Sequence, residues 1–192
     1  MVRDLPRLET RLRGMGAILD AERVFEANLR FDTPARDLTR ERRALRLRQD
    51  SRARLTYKGP AQPGAEVTSR QEIEFEVSDF AAARRLLNAL GYEVSAMYEK
   101  YRASYYLGEL EIVLDELPYG SFVEIEGPGA DAIRAVAEQL GLRWETRSGD
   151  SYLGLFESYC ASHNLRLAGL SFEVFAGLAV TPADLGLEYA DS

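Results

Sequence analysis

The sequence holds one cysteine, one histidine and one tryptophan in 192 residues. A lone Cys160 excludes an internal disulfide framework and any cysteine-based zinc site. It reads as a small apolar residue on a helix. A lone His163 excludes a histidine-based triad or zinc site, and it reads as a surface residue at a helix end. No apolar run is long enough to span a bilayer, and the first residues lack the hydrophobic region of a signal peptide. The expected location is the cytoplasm, with no membrane partner. Gly127-Pro128-Gly129 has the spacing of neither a P-loop nor a dinucleotide fingerprint. Lysine is also scarce: of 24 cationic residues, only Lys58 and Lys100 are lysine. Lysine offers a compact point charge where arginine offers a planar fork, so its retention at these two places points to sites that need an ammonium group.

What is present is ordinary in bulk. Hydrophobic residues make up 46% and charged residues 29%, as in soluble globular proteins. The length suits a single domain over 1–192 with a sizeable core, and neither repeat nor linker divides it. The net charge of −7 disfavours non-specific nucleic-acid binding. Helical periodicity predicts helices over 4–15, 79–90 and 131–140, and an aromatic-rich one carrying Tyr152, Leu155, Phe156 and Tyr159. Alternation predicts strands over 22–31, 44–49, 54–58, 70–77, 92–107, 109–116 and 121–127, with a short one at 143–146. Asp32-Thr33-Pro34 reads as a turn, and the Gly/Pro stretch 59–64 as the most mobile loop. Residues 163–192 read as an irregular tail packed on the body through Phe172, Val174 and Phe175. Trp144 reads as core.

The strands carry the chemistry. Arg46 and Arg48 share one face of the first cationic strand, and Arg54, Thr56 and Lys58 share one face of the next. Later strands put Glu72 and Glu74, Lys100 and Arg102, Asp115, and Glu124 and Glu126 on corresponding faces. Acids and bases are segregated by strand, unlike a solvated sheet face that mixes small polar residues. The helices at 79–90 and 130–141 need apolar partners and would cover the opposite side of the sheet. The charged faces would then line a strongly curved or closed sheet. Six cations suit a triphosphate, whose oxygens accept charge-assisted bonds. The carboxylates suit Mg²⁺ or Mn²⁺, hard ions that bridge acids to phosphates.

These blocks resemble, in order, those of the CYTH superfamily of triphosphate tunnel metalloenzymes: FDTPARDL (31–38), ALRLR (44–48), LTYKGP (55–60), SRQEIEFEV (69–77), EKYR (99–102) and LDELPYGSFVEIEG (114–127). The resemblance implies an α+β fold, an antiparallel eight-stranded β tunnel with covering helices. It implies that Arg46, Arg48, Lys58, Lys100 and Arg102 grip phosphates, with Arg54 on the same face, and that Lys58, Lys100 and Arg102 act in the chemistry. It implies Asp115, Glu124 and Glu126 as ligands of Mg²⁺ or Mn²⁺, with Glu72 and Glu74 near the metal or the cations. Two departures stand out. The family's Glu-x-Glu-x-Lys strand, expected before the first helix, is absent from a chain that begins Met1-Val2-Arg3-Asp4. Asn28-Leu29-Arg30 stands where the family usually has an aspartate and a tyrosine. The expected activity is metal-dependent hydrolysis of inorganic, thiamine or nucleoside triphosphate. The alternatives are class IV adenylate cyclisation of ATP and, given the missing strand, non-catalytic binding of triphosphate or polyphosphate. A homodimer is left open.

Overall fold

The structure is a computed structural model and describes residues 1–60 and 69–191. Residues 61–64 of the Gly/Pro stretch therefore lie outside the described residues. Seven strands form the sheet: β1 (Ile18–Asp32), β2 (Ala44–Gln49), β3 (Ala53–Lys58), β4 (Glu72–Val77), β5 (Glu93–Leu107), β6 (Leu110–Leu117) and β7 (Gly120–Glu126). Their order is β4-β3-β2-β1-β5-β6-β7, so β4 and β7 are its edges among the described residues. The strands are antiparallel neighbours wherever their register is resolved. The helices are α1 (Leu5–Gly14), α2 (Asp37–Arg40), α3 (Phe80–Ala89), α4 (Ala130–Gln139) and α5 (Tyr152–Ser162). The fold is α+β, as expected.

The chain divides into two compact units, residues 25–99 and residues 1–24 with 100–192. In the first, alternation puts Phe31 of β1 and Leu47 of β2 on one face, where they meet Leu87 of α3. Leu29, Leu45, Leu55, Val77, Phe80 and Ala83 pack around them. Asp79 starts α3 by accepting from Ala82 N at 2.9 Å, which satisfies one orphan N–H of the first turn. Each fully buried aliphatic side chain here stabilises by about 1.5–3 kcal/mol. Leu87→Ala would cost about 2–5 kcal/mol, because the cavity adds to the lost transfer energy. With this apolar face covered by α3, the polar residues of the same strands lie on the other side.

In the second unit, Leu8 and Leu12 of α1, Tyr105, Ile112 and Leu114 of the sheet, and Ile133, Val136 and Leu140 around α4 are buried. Asp4 caps α1 by accepting from Arg7 N at 2.9 Å. Leu107 pairs with Leu110 across a two-residue connection, and Gly108 adopts φ 61° there, a conformation a tight hairpin turn asks of its first residue. The two chain ends meet. Val2 N donates to Ser121 O at 2.8 Å, and Ala190 N to Met1 O at 2.8 Å. Asp191 accepts from the amides of Arg3 and Asp4. Phe175 of the tail is buried against Tyr119, Phe156 and Tyr159.

Five points differ from the expectations. β1 starts at Ile18 rather than near Glu22, and β4 starts at Glu72 rather than Arg70. α2 was not foreseen. It forms because Asp32 reaches past the turn and accepts from Leu38 N, Thr39 N and the Thr39 hydroxyl at 2.9, 3.0 and 2.6 Å. Residues 144–146 form a 3-10 turn, not a strand. Thr146 turns both its N–H and its hydroxyl back to Arg143 O, at 3.2 and 2.8 Å. Trp144 is only half-buried, stacked by the guanidiniums of Arg134 and Arg147 rather than set in the core.

Candidate active site

Two charged clusters stand out, one in each unit. The first is on the face of β1–β4 opposite the α3 core. Register sets it: Asn28 lies opposite Arg48 and Arg30 opposite Arg46, Arg46 opposite Thr56 and Arg48 opposite Arg54. Thr56 in turn lies opposite Glu74, and Lys58 opposite Glu72. Residues directly opposite in an antiparallel pair share a face. Arg46, Arg48, Arg54, Lys58, Glu72 and Glu74 are therefore brought together as the alternation predicts.

Glu74 is the hub. Its carboxylate lies 3.2 Å from Arg48, 3.4 Å from Arg46 and 3.8 Å from Arg54, and accepts the Thr56 hydroxyl at 2.7 Å. Burial works to raise its pKa, but the Thr56 hydrogen bond and the three guanidiniums outweigh it and hold Glu74 below the ordinary carboxylate value. Arg48 also reaches Glu26 at 3.3 Å, and Arg54 reaches Asp50 at 2.9 Å. Arg46 donates to the Tyr98 hydroxyl at 3.4 Å. Lys58 pairs with Glu72 at 2.8 Å. Several of these contacts are longer than the ~2.7–2.9 Å of a relaxed charge-assisted bond. The Nε–H groups of Arg46, Arg48 and Arg54 are buried with no hydrogen-bond partner.

The second cluster is tighter. Lys100 and Arg102 share a face of β5, and Arg102 lies opposite Asp115 of β6. Val113, two residues from Asp115, lies opposite Glu124 of β7. Asp115 is fully buried, and Lys100 is 2% exposed. Lys100 Nζ donates to Asp115 Oδ2 at 3.1 Å, and Arg102 grips both oxygens, Nε on Oδ1 at 2.7 Å and Nη2 on Oδ2 at 2.5 Å. The Tyr152 hydroxyl of α5 adds a bond to Oδ2 at 2.8 Å. Burial alone would raise the Asp115 pKa, yet Lys100 and Arg102 bring it down to about 2. Glu124 is also held below its ordinary value: burial opposes this, and Arg102 and Lys100 prevail. Burial first, then the charges of Glu124 and Asp115, push the Tyr152 phenol well above its ordinary value, so it serves as a donor.

Arg102 Nη2 lies 2.6 Å from Glu124 Oε2 as well as 2.5 Å from Asp115 Oδ2. Two carboxylates thus converge on one cationic point. Arg102 fills that point here, and a divalent ion of the kind that takes one or two carboxylates would have to displace it. Among the described residues, no group of three or more His, Cys, Asp or Glu is placed to hold a metal. Glu126, opposite Glu111, is exposed. Glu72 and Glu74 hold cations in this geometry.

Glu26, Asp50, Tyr98 and Tyr152 were missed by sequence reasoning. Glu26 had a signal, since it shares strand parity with Asn28. Asp50 sits in the β2–β3 turn, outside the alternation, and Tyr152 reaches the site from a helix 37 residues beyond Asp115. His163 lies beside Tyr159 and Asp184, away from both clusters. No helix among the described residues is long and apolar enough to cross a membrane.

The chain is similar to several known proteins. A Methanocaldococcus jannaschii protein provisionally named an adenylate cyclase is 30% identical over 107 residues, 55% of this chain and 61% of its own. The chain thus spans about three fifths of the length of that curated relative. A Vibrio parahaemolyticus structure with the same provisional name superposes with a TM-score of 0.73 at 23% identity, over 81% of this chain and 93% of its own. A Hippeastrum structure, provisionally named an adenylyl cyclase and described as having a dominant triphosphatase activity, gives a TM-score of 0.52 at 18% identity, over 97% and 96%. The last two likenesses speak for the fold. The CYTH domain model matches residues 2–148, which takes in all seven strands, both charged clusters except Tyr152, and most of the chain: this protein belongs to the CYTH family.

Proposed function

We propose that this protein binds a triphosphate through Arg46, Arg48, Arg54, Lys58, Lys100 and Arg102 and cleaves it by hydrolysis. One observation carries the reading: the buried Nε–H groups of Arg46, Arg48 and Arg54, on a single sheet face, make no hydrogen bond among the described residues, and the nearest acid to Arg48 Nε, Asp50, stands 3.7 Å away. Buried donors are almost always satisfied, and a phosphate chain offers the acceptors these lack. Residues 1–192 are taken as one CYTH-like domain with 163–192 as its tail, and the eight-strand closed tunnel of the family belongs to this reading.

In the reaction, water attacks the terminal phosphorus, the P–O bond to the leaving diphosphate breaks, and orthophosphate departs. The cations neutralise charge on the phosphoryl oxygens, which is most of what catalysis of phosphoryl transfer requires. Lys58, Lys100 and Arg102 are the groups assigned to the reacting phosphoryl. A divalent ion, when bound, supplies further charge neutralisation, and Asp115 and Glu124 are the residues that would hold it. Arg102 would then turn its guanidinium from the carboxylates to the substrate. Glu72 and Glu74 position the cations they pair with, and exposed Glu126 stands ready as an outer carboxylate. Adenylate cyclisation is the second reading, favoured by the name of the Methanocaldococcus relative.

Product analysis with tripolyphosphate, thiamine triphosphate and ATP, each with Mg²⁺ or Mn²⁺, separates these readings. Orthophosphate is the predicted product. Cyclic AMP with pyrophosphate would establish the cyclase instead. Calorimetric binding without turnover would leave a binder, and no binding at all would overturn the phosphate site.

A further inference from the structure

Asn28 is 1% exposed, and neither its Nδ2 nor its Oδ1 has a hydrogen-bond partner among the described residues. It lies in the middle of β1, opposite Arg48, on the same face as the three unsatisfied Nε–H groups. Its strand neighbours at parity two are Glu26 and Arg30, and Glu26 bonds to Arg48 at 3.3 Å. An amide can offer two donors and accept twice. Burying one with nothing to bind is destabilising, and it persists where something other than stability selects it. The surrounding guanidiniums make this face attractive to an anion, and the amide N–H is a further donor for one.

We propose that Asn28 is a ligand-contacting residue of the arginine face, donating its Nδ2–H to a phosphate oxygen of the bound chain. The inference rests on the phosphate-binding reading of that face and deepens it, since it adds an uncharged donor to a set of cations. A neutral donor fixes an oxygen's direction without adding charge, so it reads where the phosphate lies rather than how much charge it bears.

The test pairs stability with affinity, because the two should move in opposite senses. Asn28→Ala removes an unsatisfied buried group, so its melting temperature should equal or exceed that of the wild type. Its affinity for tripolyphosphate, measured by calorimetry, should fall about tenfold or more, the weight of a hydrogen bond to a charged acceptor. Asn28→Asp keeps the size but exchanges the donor for an acceptor, so it should weaken tripolyphosphate at least as much. ATP should lose the same factor as tripolyphosphate in both variants. A lower melting temperature with unchanged affinity in Asn28→Ala would show an amide satisfied by internal water and overturn the inference. A loss confined to ATP would place the contact on the nucleoside and overturn the phosphate assignment. If the wild type binds no tripolyphosphate, the phosphate reading of the face falls, and the inference with it. If the wild type binds and both variants bind equally well, only the inference falls.

Discussion

Around Glu74 the ion pairs run from 3.2 to 3.8 Å with the carboxylate 30% exposed. Around Asp115 they run from 2.5 to 3.1 Å with the carboxylate closed to solvent. Both regions are built from the same residue types on alternating strands. They differ in how fully the donors are used. At Glu74, one carboxylate is shared among three guanidiniums, whose buried Nε–H groups make no hydrogen bond among the described residues. At Asp115, two oxygens receive four bonds from Lys100, Arg102 and Tyr152. Desolvated charges are stable only when paired and hydrogen-bonded to completion. Breaking the Asp115 region is therefore expected to be costly to the fold, whereas the Glu74 region is the one proposed to take a phosphate chain.

Removing each acid probes that difference most strongly. Asp115→Asn should cost about 3–5 kcal/mol, because it removes the buried carboxylate charge that both Lys100 and Arg102 bind. Glu74→Gln should cost about 1 kcal/mol or less, since its pairs are stretched and partly solvated. Chemical denaturation of the two variants checks the ranking, and equal losses would erase the distinction.

Acid titration sharpens it. The folded pKa of Asp115 is about 2 against an ordinary 3.8. Because the folded value is depressed, its contribution is fully present above the unfolded pKa and is lost as pH falls toward the folded one. That shift corresponds to about 2–3 kcal/mol, lost between roughly pH 5 and pH 2. Asp115→Asn should remove this part of the acid dependence when stability is followed against pH, and an unaltered profile would show that another group carries it.

A smaller effect concerns Tyr152. Tyr152→Phe keeps the ring against Phe122, 5.1 Å away, and removes the hydroxyl from Asp115. A loss of about 1–2 kcal/mol is expected in thermal unfolding, the weight of one hydrogen bond to a charged group. A neutral change would show that Asp115 is held by its cations alone.

Much of this was readable in advance. Strict alternation in 44–49 and 54–58 is a local signal, and it carried the register that gathers Arg46, Arg48, Arg54 and Lys58. Lys100, Arg102, Asp115 and Glu124 were readable for the same reason. α2 was not, because four residues show no period and its stability comes from Asp32, up to seven residues upstream. Asp32 in the FDTPARDL block is thus a capping residue here: burial opposes it, but the Thr39 hydroxyl and the amides of Leu38, Thr39 and Thr33 keep its carboxylate below the ordinary value. Tyr152 was hidden because its partner is distant in sequence and its helix carries an aromatic stripe that reads as core. The vacant donors of Arg46, Arg48, Arg54 and Asn28 could not be read at all, since satisfaction is a property of three-dimensional geometry.

The central claim is that these cations serve a phosphate chain. Calorimetric titration of tripolyphosphate tests it most directly, in the wild type, in Lys58→Ala and Lys100→Ala, and in Arg84→Ala on the exposed side of α3. The account predicts binding by the wild type, a loss of at least about tenfold in each lysine variant, and wild-type affinity in Arg84→Ala. Equal affinities across all four proteins would contradict it.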